Sequence, residues 1–554
     1  MGHLSVKDVS AIITKRENVS DVTVSISGSK HIFIYAFLYS VFQNDAQVLL
    51  KNVPSISDTE FLVEYALCAG AELEYDKRKN TILVKKPISK NIICTPYILN
   101  CRSSLVAITT HLLRFSCATV LNSFGGCRIG ERKIDQHIKL WEKIGAEVSV
   151  NDCISLKKDK DNIPSELTFD IDTTMGSAAG IIALANGSIT KINNASIRPE
   201  IIELIDFITL FGFKFSMSDR VLTVSATEKK TKTVEYIIPN DIDESLAWAC
   251  FLSMTGINGK IIGKIPHIDA VKFLEKNSQG VIIWSENGIT VKNAKHEKLP
   301  LCTIEASEFP GIGSDQQPIF TVWGAIFCES VTVKDKKFPS RFNYLNELSR
   351  HGWKYEKIND YYKVKFESTE ASSSTFCATD LRAGFAFLLA GVYLYPSITV
   401  DSYEQLLRGY SDLNEKLNKL GFDVKVVDNS THQSVAIALT DNEGNLYLQK
   451  RDDNAPKNPS RVSFFGGAVE CETPYEAAKR ELIEELELDL EPQLIGEYSL
   501  NKALYSMSGT VFLYKATVSS ITKCNEGQIL KTTRKEALSE NLTMFARSIL
   551  EMLP

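Results

Sequence analysis

One arrangement of apolar and polar positions recurs six times along the first three quarters of the chain. Each copy combines an amphipathic helix, a glycine and a short β-rich run, as in ALCAGAELEY, WEKIGAEVSV, ITLFGFKFSM, EKNSQGVIIW, ELSRHGWKYE and KLNKLGFDVK. The six glycines, spaced by about 70 residues, are Gly70, Gly145, Gly212, Gly280, Gly352 and Gly421. A glycine at this place predicts a helix C-cap with a positive φ before a strand. The pattern therefore predicts six units of one α/β module.

The six predicted units divide into two lobes of three, because the segment PNDID at 239–243 has the composition of a crossing between domains. The prediction assigns residues 22–238 to lobe 1, and residues 1–21 together with 239–427 to lobe 2. A cleft between the lobes follows from this arrangement. Small-molecule chemistry usually takes place in such clefts between domains.

The repeat stops after Val427, and the polar run VDNSTHQS leads into a separate domain at 433–554. Two β-like runs, VAIALTD and LYLQKRD, are joined by the turn sequence NEGN, which predicts a hairpin. Thr473 and Pro474 then mark the start of a helix. The domain is therefore expected to contain a β-hairpin followed by a helix.

On that helix Glu481, Glu484 and Glu485 stand at positions i, i+3 and i+4, so their carboxylates share one face. Like charges stacked in this way destabilise a helix by a few tenths of a kcal/mol per pair, and bound Mg²⁺ or Mn²⁺ would reverse that cost. A solvated acidic face is the alternative interpretation. The helix pattern alone leaves both interpretations open.

The composition narrows the class of protein. Over 554 residues, 62 Lys plus Arg and 68 Asp plus Glu give a net charge of −6, too balanced for a nucleic-acid surface or a polybasic membrane anchor. The 12 cysteines form no CxxC pair and no zinc spacing, which is typical of reduced thiols. The longest apolar run, 383–395, is shorter than the roughly 20 residues of a membrane span, and the N-terminus lacks a signal-peptide core. We therefore expect a cytoplasmic protein with no membrane span and no nucleic-acid partner.

The segment FGGCRIGERKIDQH at 124–137 carries the first candidate chemistry. Its two glycines allow a sharp bend and present Cys127 at the tip of a loop, followed by Arg128 and Arg132. Cationic neighbours lower the pKa of a thiol and can hold a phosphorylated substrate, so Cys127 is a candidate general acid or nucleophile. A solvent-facing turn with an incidental cysteine is the alternative.

Seven ordered motifs over residues 20–426 resemble the enolpyruvyl transferases, and among them UDP-N-acetylglucosamine enolpyruvyl transferase more than the shikimate-pathway member. They are SGSKH at 27–31, CRSS at 101–104, the Cys127 loop, FPGIGSDQQ at 309–317, PSRFNYLNEL at 339–348, ATDLRA at 378–383 and LLRGY at 406–410. The resemblance implies a two-lobed inside-out α/β barrel of six repeated α/β units. It also implies transfer of the enolpyruvyl group of phosphoenolpyruvate to a substrate hydroxyl, with release of phosphate and without a cofactor.

The resemblance assigns roles to matching residues of this chain. Cys127 would donate a proton to the methylene carbon, Asp315 would take the proton of the acceptor hydroxyl, and Asp380 would have either a structural or a catalytic role. Asp135 and His137 fall in the segment next to the uridine of the acceptor. The residues expected to bind phosphoenolpyruvate and the anionic site around it are Lys30, Arg102, Arg132, Arg341, Arg382 and Arg408.

Three departures bear on the acceptor. The turn that approaches the nucleotide diphosphate in the cell-wall enzyme is replaced by a shorter segment, 171–174, whose Asp172 should repel a diphosphate. Arg198 stands where that enzyme has Glu, and His31 follows Lys30 where it has Asn. We therefore expect a nucleotide-type acceptor, UMP-like or a UDP-sugar, rather than UDP-N-acetylglucosamine in particular.

The C-terminal domain resembles the Nudix hydrolases, on Gly466, Glu472, the run Arg480-Glu481-Leu482 and the pair Glu484-Glu485. This resemblance implies an α/β/α fold and hydrolysis of a nucleoside diphosphate linked to another group. Mg²⁺ or Mn²⁺ would be held by Glu472, Glu481, Glu484 and Glu485, with Glu484 catalytic and Arg480 orienting the glutamates. Cys471 and Glu487 stand where the signature has glycine, so a degenerate binding module is the alternative.

Together the two resemblances predict a bifunctional enzyme of nucleoside natural-product biosynthesis, since both families handle nucleoside diphosphates. One alternative is a UDP-N-acetylglucosamine enolpyruvyl transferase of peptidoglycan synthesis with a tethered housekeeping or nucleotide-sensing Nudix domain. Another is a regulatory binding protein that keeps the transferase scaffold only for ligand binding.

Overall fold

The computed structural model describes most of the chain. The described residues are 9–17, 19–93, 102–121, 133–151, 153–158, 164–226, 232–293, 297–338, 341–367, 374–428, 433–452, 460–470, 472–500, 509–521 and 523–552. Among the helices in these ranges, none has both the length and the apolar character that crossing a bilayer requires.

The helices fall into two groups, thirteen before residue 428 and three after it among the described residues. The first group is α1 Lys30–Phe42, α2 Ser57–Cys68, α3 Ser104–Phe115, α4 Asp135–Lys143, α5 Thr174–Ala185, α6 Pro199–Thr209, α7 Ile242–Thr255, α8 Asp269–Ser278, α9 Gln317–Phe327, α10 Tyr344–Ser349, α11 Leu381–Leu394, α12 Glu404–Leu407 and α13 Leu413–Lys419. The second group is α14 Pro474–Leu486, α15 Arg534–Ala537 and α16 Met544–Met552.

The strands that the structure describes up to residue 428 form six separate sheets. In chain order the strands are β1 Val9–Lys15, β2 Val22–Ser25, β3 Gln47–Lys51, β4 Glu72–Asp76, β5 Thr81–Lys86, β6 Cys117–Leu121, β7 Ala146–Val150, β8 Cys153–Lys158, β9 Ser165–Thr168, β10 Ile189–Asn193, β11 Phe213–Ser218, β12 Val221–Ala226, β13 Thr233–Ile237, β14 Gly259–Ile262, β15 Ile282–Ser285, β16 Gly288–Val291, β17 Cys302–Ala306, β18 Val331–Asp335, β19 Trp353–Ile358, β20 Tyr361–Phe366, β21 Thr375–Cys377, β22 Ser397–Asp401 and β23 Phe422–Asp428.

Three of the sheets consist of consecutive strands, and each of the other three also takes one strand, β1, β2 or β13, from a distant part of the chain. The sheets β13-β3-β5-β4, β6-β8-β7 and β11-β12-β10-β9 surround one core, and β15-β16-β14-β2, β17-β18-β20-β19 and β21-β22-β1-β23 surround a second. Five of the six sheets contain one parallel pair among the described strands, for example β3 with β13. The predicted six-unit, two-lobed α/β fold is confirmed.

The helices α1, α3 and α5 fill the centre of lobe 1, and α7, α9 and α11 fill the centre of lobe 2. Their sequences are apolar almost all round rather than on one stripe, as a helix enclosed by other elements requires. In α1, for example, every residue except His31 is buried. The sheets therefore lie outside and the helices inside, which is the inside-out arrangement that the resemblance implies.

The repeated glycines have the conformation that the sequence predicts. Their φ values are +81° at Gly70, +92° at Gly145, +92° at Gly212, +85° at Gly280, +94° at Gly352 and +85° at Gly421. Residues with a side chain rarely adopt this left-handed region, so glycine lets each outer helix turn directly into its strand. The same requirement for a positive φ between helix and strand therefore recurs in all six units.

The predicted lobe boundary at residue 22 is corrected by strand pairing. Strand β2, Val22–Ser25, pairs in parallel with β14 of lobe 2, so the chain enters lobe 1 only after residue 27. There Gly28 bridges Asn240, and the two crossing segments run side by side. A Cβ on Gly28 would lie 2.0 Å from the carbonyl oxygen of Asn52, so this close crossing admits only glycine. The pattern of β2 gave no signal of a partner so distant in the chain.

The C-terminal domain is a mixed sheet between two layers of helix. Its strands are β24 Gln433–Thr440, β25 Leu446–Lys450, β26 Val462–Ser463, β27 Gln493–Leu500, β28 Gly509–Thr517 and β29 Gln528–Thr532, in the order β26-β25-β24-β28-β27 with β29 on β25. One apolar cluster packs α14 on one face, and a second packs α15 and α16 on the other. The predicted hairpin is confirmed as β24–β25, and Thr473 caps α14 with Glu476 in a capping box.

Replacing Gly280 with alanine tests the conformational requirement of the repeat. A Cβ at Gly280 would meet no atom within 4 Å, so the cost arises from the positive φ alone. We expect Gly280→Ala to lower the free energy of unfolding by about 1 kcal/mol. The measurement is the urea unfolding midpoint followed by tryptophan fluorescence. Gly280→Asn is the control and should lose less, since asparagine tolerates this region; equal losses would contradict the explanation.

Candidate active sites

Two cations from different lobes share one buried carboxylate in the cleft. Lys30, the first residue of α1, places its Nζ 2.6 Å from Oδ2 of Asp58, and Nε of Arg408 donates to Oδ1 of Asp58 at 3.0 Å. Nζ of Lys30 also donates to the carbonyl oxygen of Arg408 at 3.0 Å. Burial alone would raise the pKa of the Asp58 carboxyl, but Arg408 and then Lys30 outweigh it and hold that pKa below its usual range. The two residues predicted to grip phosphoenolpyruvate are therefore brought together.

A second charged cluster joins four of the predicted residues in lobe 2. Nη1 of Arg341 donates to Oδ1 of Asp315 at 2.8 Å, and Nη2 of Arg382 lies 3.8 Å from Oδ2 of the same carboxylate. That Nη2 also donates to Asp243 at 2.8 Å. Asp380 caps α11 by accepting two backbone N–H groups, and its Oδ1 lies 3.7 Å from Arg341. The sequence left both a structural and a catalytic role open for Asp380, and helix capping is a structural role.

The predicted uridine segment is described only in part. Asp135 begins α4 and is exposed, whereas His137, one turn further, is buried. Burial, and then the charge of Arg102, lower the pKa of His137 to about 3, so its ring is neutral. Arg102 therefore lies near enough for its charge to act on His137. Cys127 and Arg132 lie outside the described residues.

Charged residues that the motifs did not include line the rest of the cleft. Arg220 of lobe 1 lies 3.2 Å from Asp172 and 3.4 Å from Glu308 of lobe 2, so it links the lobes. Arg198 donates to both oxygens of Glu200 at 3.1 to 3.3 Å. Asp172, the departure noted in the acceptor segment, is thus a buried carboxylate paired with a cation.

In the C-terminal domain one arginine holds three of the predicted metal ligands. Arg480 donates to Glu472 at 2.8 Å, to Glu481 at 2.7 Å and to Glu484 at 2.8 Å. Its Nη2 also donates to the carbonyl oxygen of Ala468. Glu481 is buried while Glu484 is exposed, so the shared helix face extends from the domain interior to solvent. Arg480 has the contacts expected of an orienting residue.

Glu485 is the most enclosed of the glutamates on α14. It accepts the N–H of Gly466 at 3.0 Å and the side-chain amide of Gln449 at 2.8 Å. Burial, and then the charge of Glu481, raise its pKa to about 7 even though both hydrogen bonds oppose the rise. A Cβ on Gly467 would lie 2.2 Å from Oε1 of Glu481, so a side chain at this position would displace that carboxylate.

The carboxylate set suits a hard divalent cation by its chemistry, since Mg²⁺ and Mn²⁺ prefer oxygen ligands. Within the part of the chain that the structure describes, no three acidic, histidine or cysteine side chains converge as a ready-made metal site. The contacts of Arg480 account for this, because Glu472, Glu481 and Glu484 are turned toward its guanidinium. Metal binding would therefore require these glutamates to exchange an arginine contact for the cation.

The family model of EPSP synthase (3-phosphoshikimate 1-carboxyvinyltransferase) matches residues 13–417, which is most of the chain. The chain belongs to the EPSP synthase family. Residues 430–536 match the NUDIX domain. Both the enolpyruvyl transferase region and the C-terminal NUDIX domain therefore indicate an enzyme.

Relatives align with the transferase region over nearly their whole length. UDP-N-acetylglucosamine 1-carboxyvinyltransferase from Fervidobacterium nodosum is 29% identical over 424 residues, which cover 75% of this chain and 98% of the relative. The protein of the same name from Wolbachia pipientis is 27% identical over 430 residues, covering 73% and 96%. At least 96% of each relative aligns with about three quarters of this chain, so little of either relative is left to match the NUDIX domain.

Solved structures show the same fold at low identity. The enolpyruvyl transferase NikO from Streptomyces tendae superposes with a TM-score of 0.64 at 18% identity and covers 76% of this chain and 99% of its own. EPSP synthase from Acinetobacter baumannii gives a TM-score of 0.56 at 11% identity, covering 76% and 100%. The predicted family and fold are thereby confirmed, while the roles of individual residues stay predictions.

Sequence reasoning missed Asp58 and Asp243, although both complete the charge pairs of the transferase cleft. Asp58 lies in the first turn of α2, where an acidic residue is ordinary helix chemistry. Asp243 lies in the first turn of α7 for the same apparent reason. Only their contacts with arginines from distant parts of the chain distinguish them, and no local motif carries that signal.

Replacing Asp58 with asparagine should destabilise the transferase region. The change leaves Lys30 and Arg408 buried without their shared anion, which costs about 3 kcal/mol. We expect a lower melting temperature by calorimetry. Added inorganic phosphate should raise the melting temperature of Asp58→Asn by more than it raises that of the wild type. Asp423→Asn removes an exposed partner of Arg16 and serves as the control. Equal phosphate effects in wild type and variant would contradict the assignment of this anion site.

Replacing Arg480 with glutamine should destabilise the NUDIX domain mainly when metal is absent. The variant leaves Glu472, Glu481 and Glu484 facing one another without a cation, and added Mg²⁺ replaces the missing charge. We expect a lower melting temperature in EDTA and a smaller difference from wild type in Mg²⁺. Lys479→Gln, on the same helix, is the matched control. A loss that Mg²⁺ does not reduce would show that Arg480 and the cation do not act on the same carboxylates.

Proposed function

We propose that the chain is a bifunctional enzyme. Its transferase region moves the enolpyruvyl group of phosphoenolpyruvate to a hydroxyl of a nucleotide-type acceptor, UMP-like or a UDP-sugar, and releases phosphate. Its NUDIX domain hydrolyses a nucleoside diphosphate linkage in the substrate or the product. We assign the pair of reactions to nucleoside natural-product biosynthesis in the cytoplasm.

One observation carries the transferase proposal: Lys30 of lobe 1 and Arg408 of lobe 2, both assigned to phosphoenolpyruvate, meet at the buried carboxylate of Asp58. Lys30 lies at the N-terminus of α1, and Arg408 approaches it from lobe 2. Arg341 and Arg382 meet at Asp315, just before the N-terminus of α9. Cations and helix N-termini together favour a ligand that carries both a phosphate and a carboxylate. No cofactor is needed for this step.

The buried carboxylate of Asp172 bears on which acceptor the transferase region binds. Its side chain is 1% exposed, lies in the segment that replaces the diphosphate-binding turn of the cell-wall enzyme, and pairs with Arg220. Asp172 and Glu308 together neutralise Arg220, so this cation does less to hold a diphosphate, which favours an acceptor with its phosphate elsewhere. This supports a UMP-like acceptor over UDP-N-acetylglucosamine, although the latter is the substrate named for the curated relatives.

The NUDIX proposal rests on the carboxylates around Arg480. Glu481, Glu484 and Glu485 would hold Mg²⁺ or Mn²⁺ with help from Glu472, and the cation would supply an activated water and charge neutralisation at the diphosphate. Arg480 would keep the glutamates in place before the metal binds. Glu484, the exposed member, would be the catalytic group at the solvent side.

A second candidate function is supported by the names of the relatives. In it the transferase region makes UDP-N-acetylglucosamine enolpyruvate for peptidoglycan, and the NUDIX domain is a tethered housekeeping hydrolase or a nucleotide sensor. This candidate predicts two unrelated substrate ranges, whereas the coupled enzyme predicts that one domain accepts what the other produces. The substrate ranges therefore distinguish the two.

The test is ³¹P NMR of the protein with phosphoenolpyruvate and Mg²⁺, and with UMP, UDP-N-acetylglucosamine or another UDP-sugar in separate tubes. We expect inorganic phosphate only with a nucleotide-type acceptor, with UMP favoured. Phosphoenolpyruvate that stays intact with every acceptor would contradict the transferase proposal. Release with UDP-N-acetylglucosamine alone would favour the peptidoglycan function.

The same spectra test the NUDIX domain through new phosphomonoester signals. Glu484→Gln should abolish those signals and leave the release of phosphate from phosphoenolpyruvate unchanged. Glu497→Gln is the matched control, since Glu497 lies on β27 outside the glutamate cluster. Diphosphate cleavage that survives in Glu484→Gln would contradict the assignment of this glutamate.

A further inference from the structure

One carboxylate, that of Asp241, contacts the N-termini of two inner helices that belong to different lobes. Its Oδ1 accepts the N–H of Glu244 at 2.9 Å, which caps α7 of lobe 2. Its Oδ2 accepts the N–H of Lys30, the first residue of α1 in lobe 1, at 3.0 Å. Asp241 and Lys30 are both buried and lie 211 residues apart in the sequence. A single side chain therefore joins the starts of α1 and α7.

Helix α1 depends on this contact because its own N-cap residue does not cap it. Ser29 occupies the N-cap position of α1, but its side chain makes no capping hydrogen bond. The first N–H groups of a helix have no partner within the helix, so they need an acceptor from outside when they are buried. Asp241 supplies that acceptor for Lys30, and the partial positive charge of both helix N-termini favours the negative carboxylate between them.

The backbone around Asp241 is hydrogen-bonded to the other crossing segment, so the position of its carboxylate is fixed. The N–H of Asp241 donates to the carbonyl oxygen of Ser27 at 3.0 Å. Beside it, Nδ2 of Asn240 donates to the carbonyl oxygen of Ile26 at 2.7 Å. The contact of Asp241 with Lys30 therefore lies at the place where the chain passes between the lobes.

The start of α7 also contacts the second charged cluster of the cleft. Asp243, two residues after Asp241, accepts a hydrogen bond from Nη2 of Arg382 at 2.8 Å. Lys30, whose backbone is held by Asp241, places its ammonium group 2.6 Å from Asp58 in the first cluster. One short segment of α7 is therefore bonded to a cation of each cluster.

We propose that Asp241 is a positioning residue of the transferase. By holding the first residue of α1 against the start of α7, it fixes the ammonium group of Lys30 relative to the guanidinium group of Arg382. It thereby sets the spacing at which the phosphate and the carboxylate of phosphoenolpyruvate bind. This inference rests on the proposed enolpyruvyl transfer. Each oxygen of Asp241 accepts a backbone N–H, so the residue acts through Lys30 rather than on the substrate.

Two substitutions test the contact with α1. Asp241→Ser keeps an oxygen that caps α7 well, but it has no second oxygen for the N–H of Lys30. Asp241→Asn keeps the length of the side chain, but its amide nitrogen cannot accept an N–H. We expect each variant to lower kcat/KM for phosphoenolpyruvate by about 10- to 100-fold, because a small displacement of a binding group slows a reaction strongly. The acceptor is whichever of UMP and UDP-N-acetylglucosamine releases phosphate.

The control for loss of a helix cap is Thr533→Ala, which removes the cap of α15 in the NUDIX domain. It should leave kcat/KM for phosphoenolpyruvate unchanged. An Asp241→Ser or Asp241→Asn enzyme that also keeps its wild-type kcat/KM would overturn the proposal.

A merely structural role is distinguished by repeating both substitutions in a Lys30→Gln enzyme. If Asp241 acts by positioning the ammonium group, its replacement should lower kcat/KM by less than about threefold when that group is already absent. If the Lys30→Gln enzyme turns over too slowly, titration calorimetry of phosphoenolpyruvate gives the same comparison through Kd. Losses that are equally large in both backgrounds would show that Asp241 does not act through Lys30 and would overturn the proposal.

Amide hydrogen exchange followed by mass spectrometry tests the contact without turnover. We expect the peptide that begins α1 to exchange at least about tenfold faster in Asp241→Ser than in wild type, while the peptide that begins α7 keeps its protection. If wild type reacts with neither acceptor, the proposed function itself fails, and this measurement still decides whether Asp241 holds α1. Unchanged exchange at the start of α1 would overturn the positioning role.

Discussion

The buried contact of Lys30 and Arg408 with Asp58 is the interaction on which the cleft depends. Two cations from different lobes could not stay desolvated side by side without an anion between them, because their repulsion and lost hydration would both oppose closure. The carboxylate of Asp58 removes that opposition and fixes where each cation points. Arg408 can therefore lie more than 370 residues from Lys30 in sequence, and its carbonyl oxygen still accepts a hydrogen bond from the Lys30 ammonium group.

The same compensation recurs among the other described charges of the cleft. Arg341 and Arg382 hold Asp315 and Asp243, and Arg220 holds Asp172 and Glu308 across the lobes. Paired charges of this kind hold each side chain in place and keep both partners ionised.

The two parts of the chain handle phosphate chemistry by opposite electrostatic means. The transferase cleft presents cations and helix N-termini to an anionic substrate, whereas the NUDIX domain presents carboxylates that need a cation before a diphosphate can approach. Arg480 provides that cation from within the protein and keeps the glutamates oriented. Glu487 ends the same helix in the left-handed conformation at φ 57°, so the glutamate in place of glycine keeps the regular cap at some conformational cost.

Short-range patterns in the sequence determined the repeated α/β module, the β24–β25 hairpin and the capped start of α14. They also include the motifs by which the family is identified. Each depends on residues within one or two turns, where periodicity, turn chemistry and glycine conformation act directly. The tertiary structure decided the lobe boundary, because β2 finds its parallel partner β14 more than 230 residues later. It also decided that Asp58 and Asp243 belong to the cleft and that Asp380 caps a helix. Charge pairing and sheet pairing over such distances depend on packing, and no short stretch of sequence encodes which partners packing will bring together.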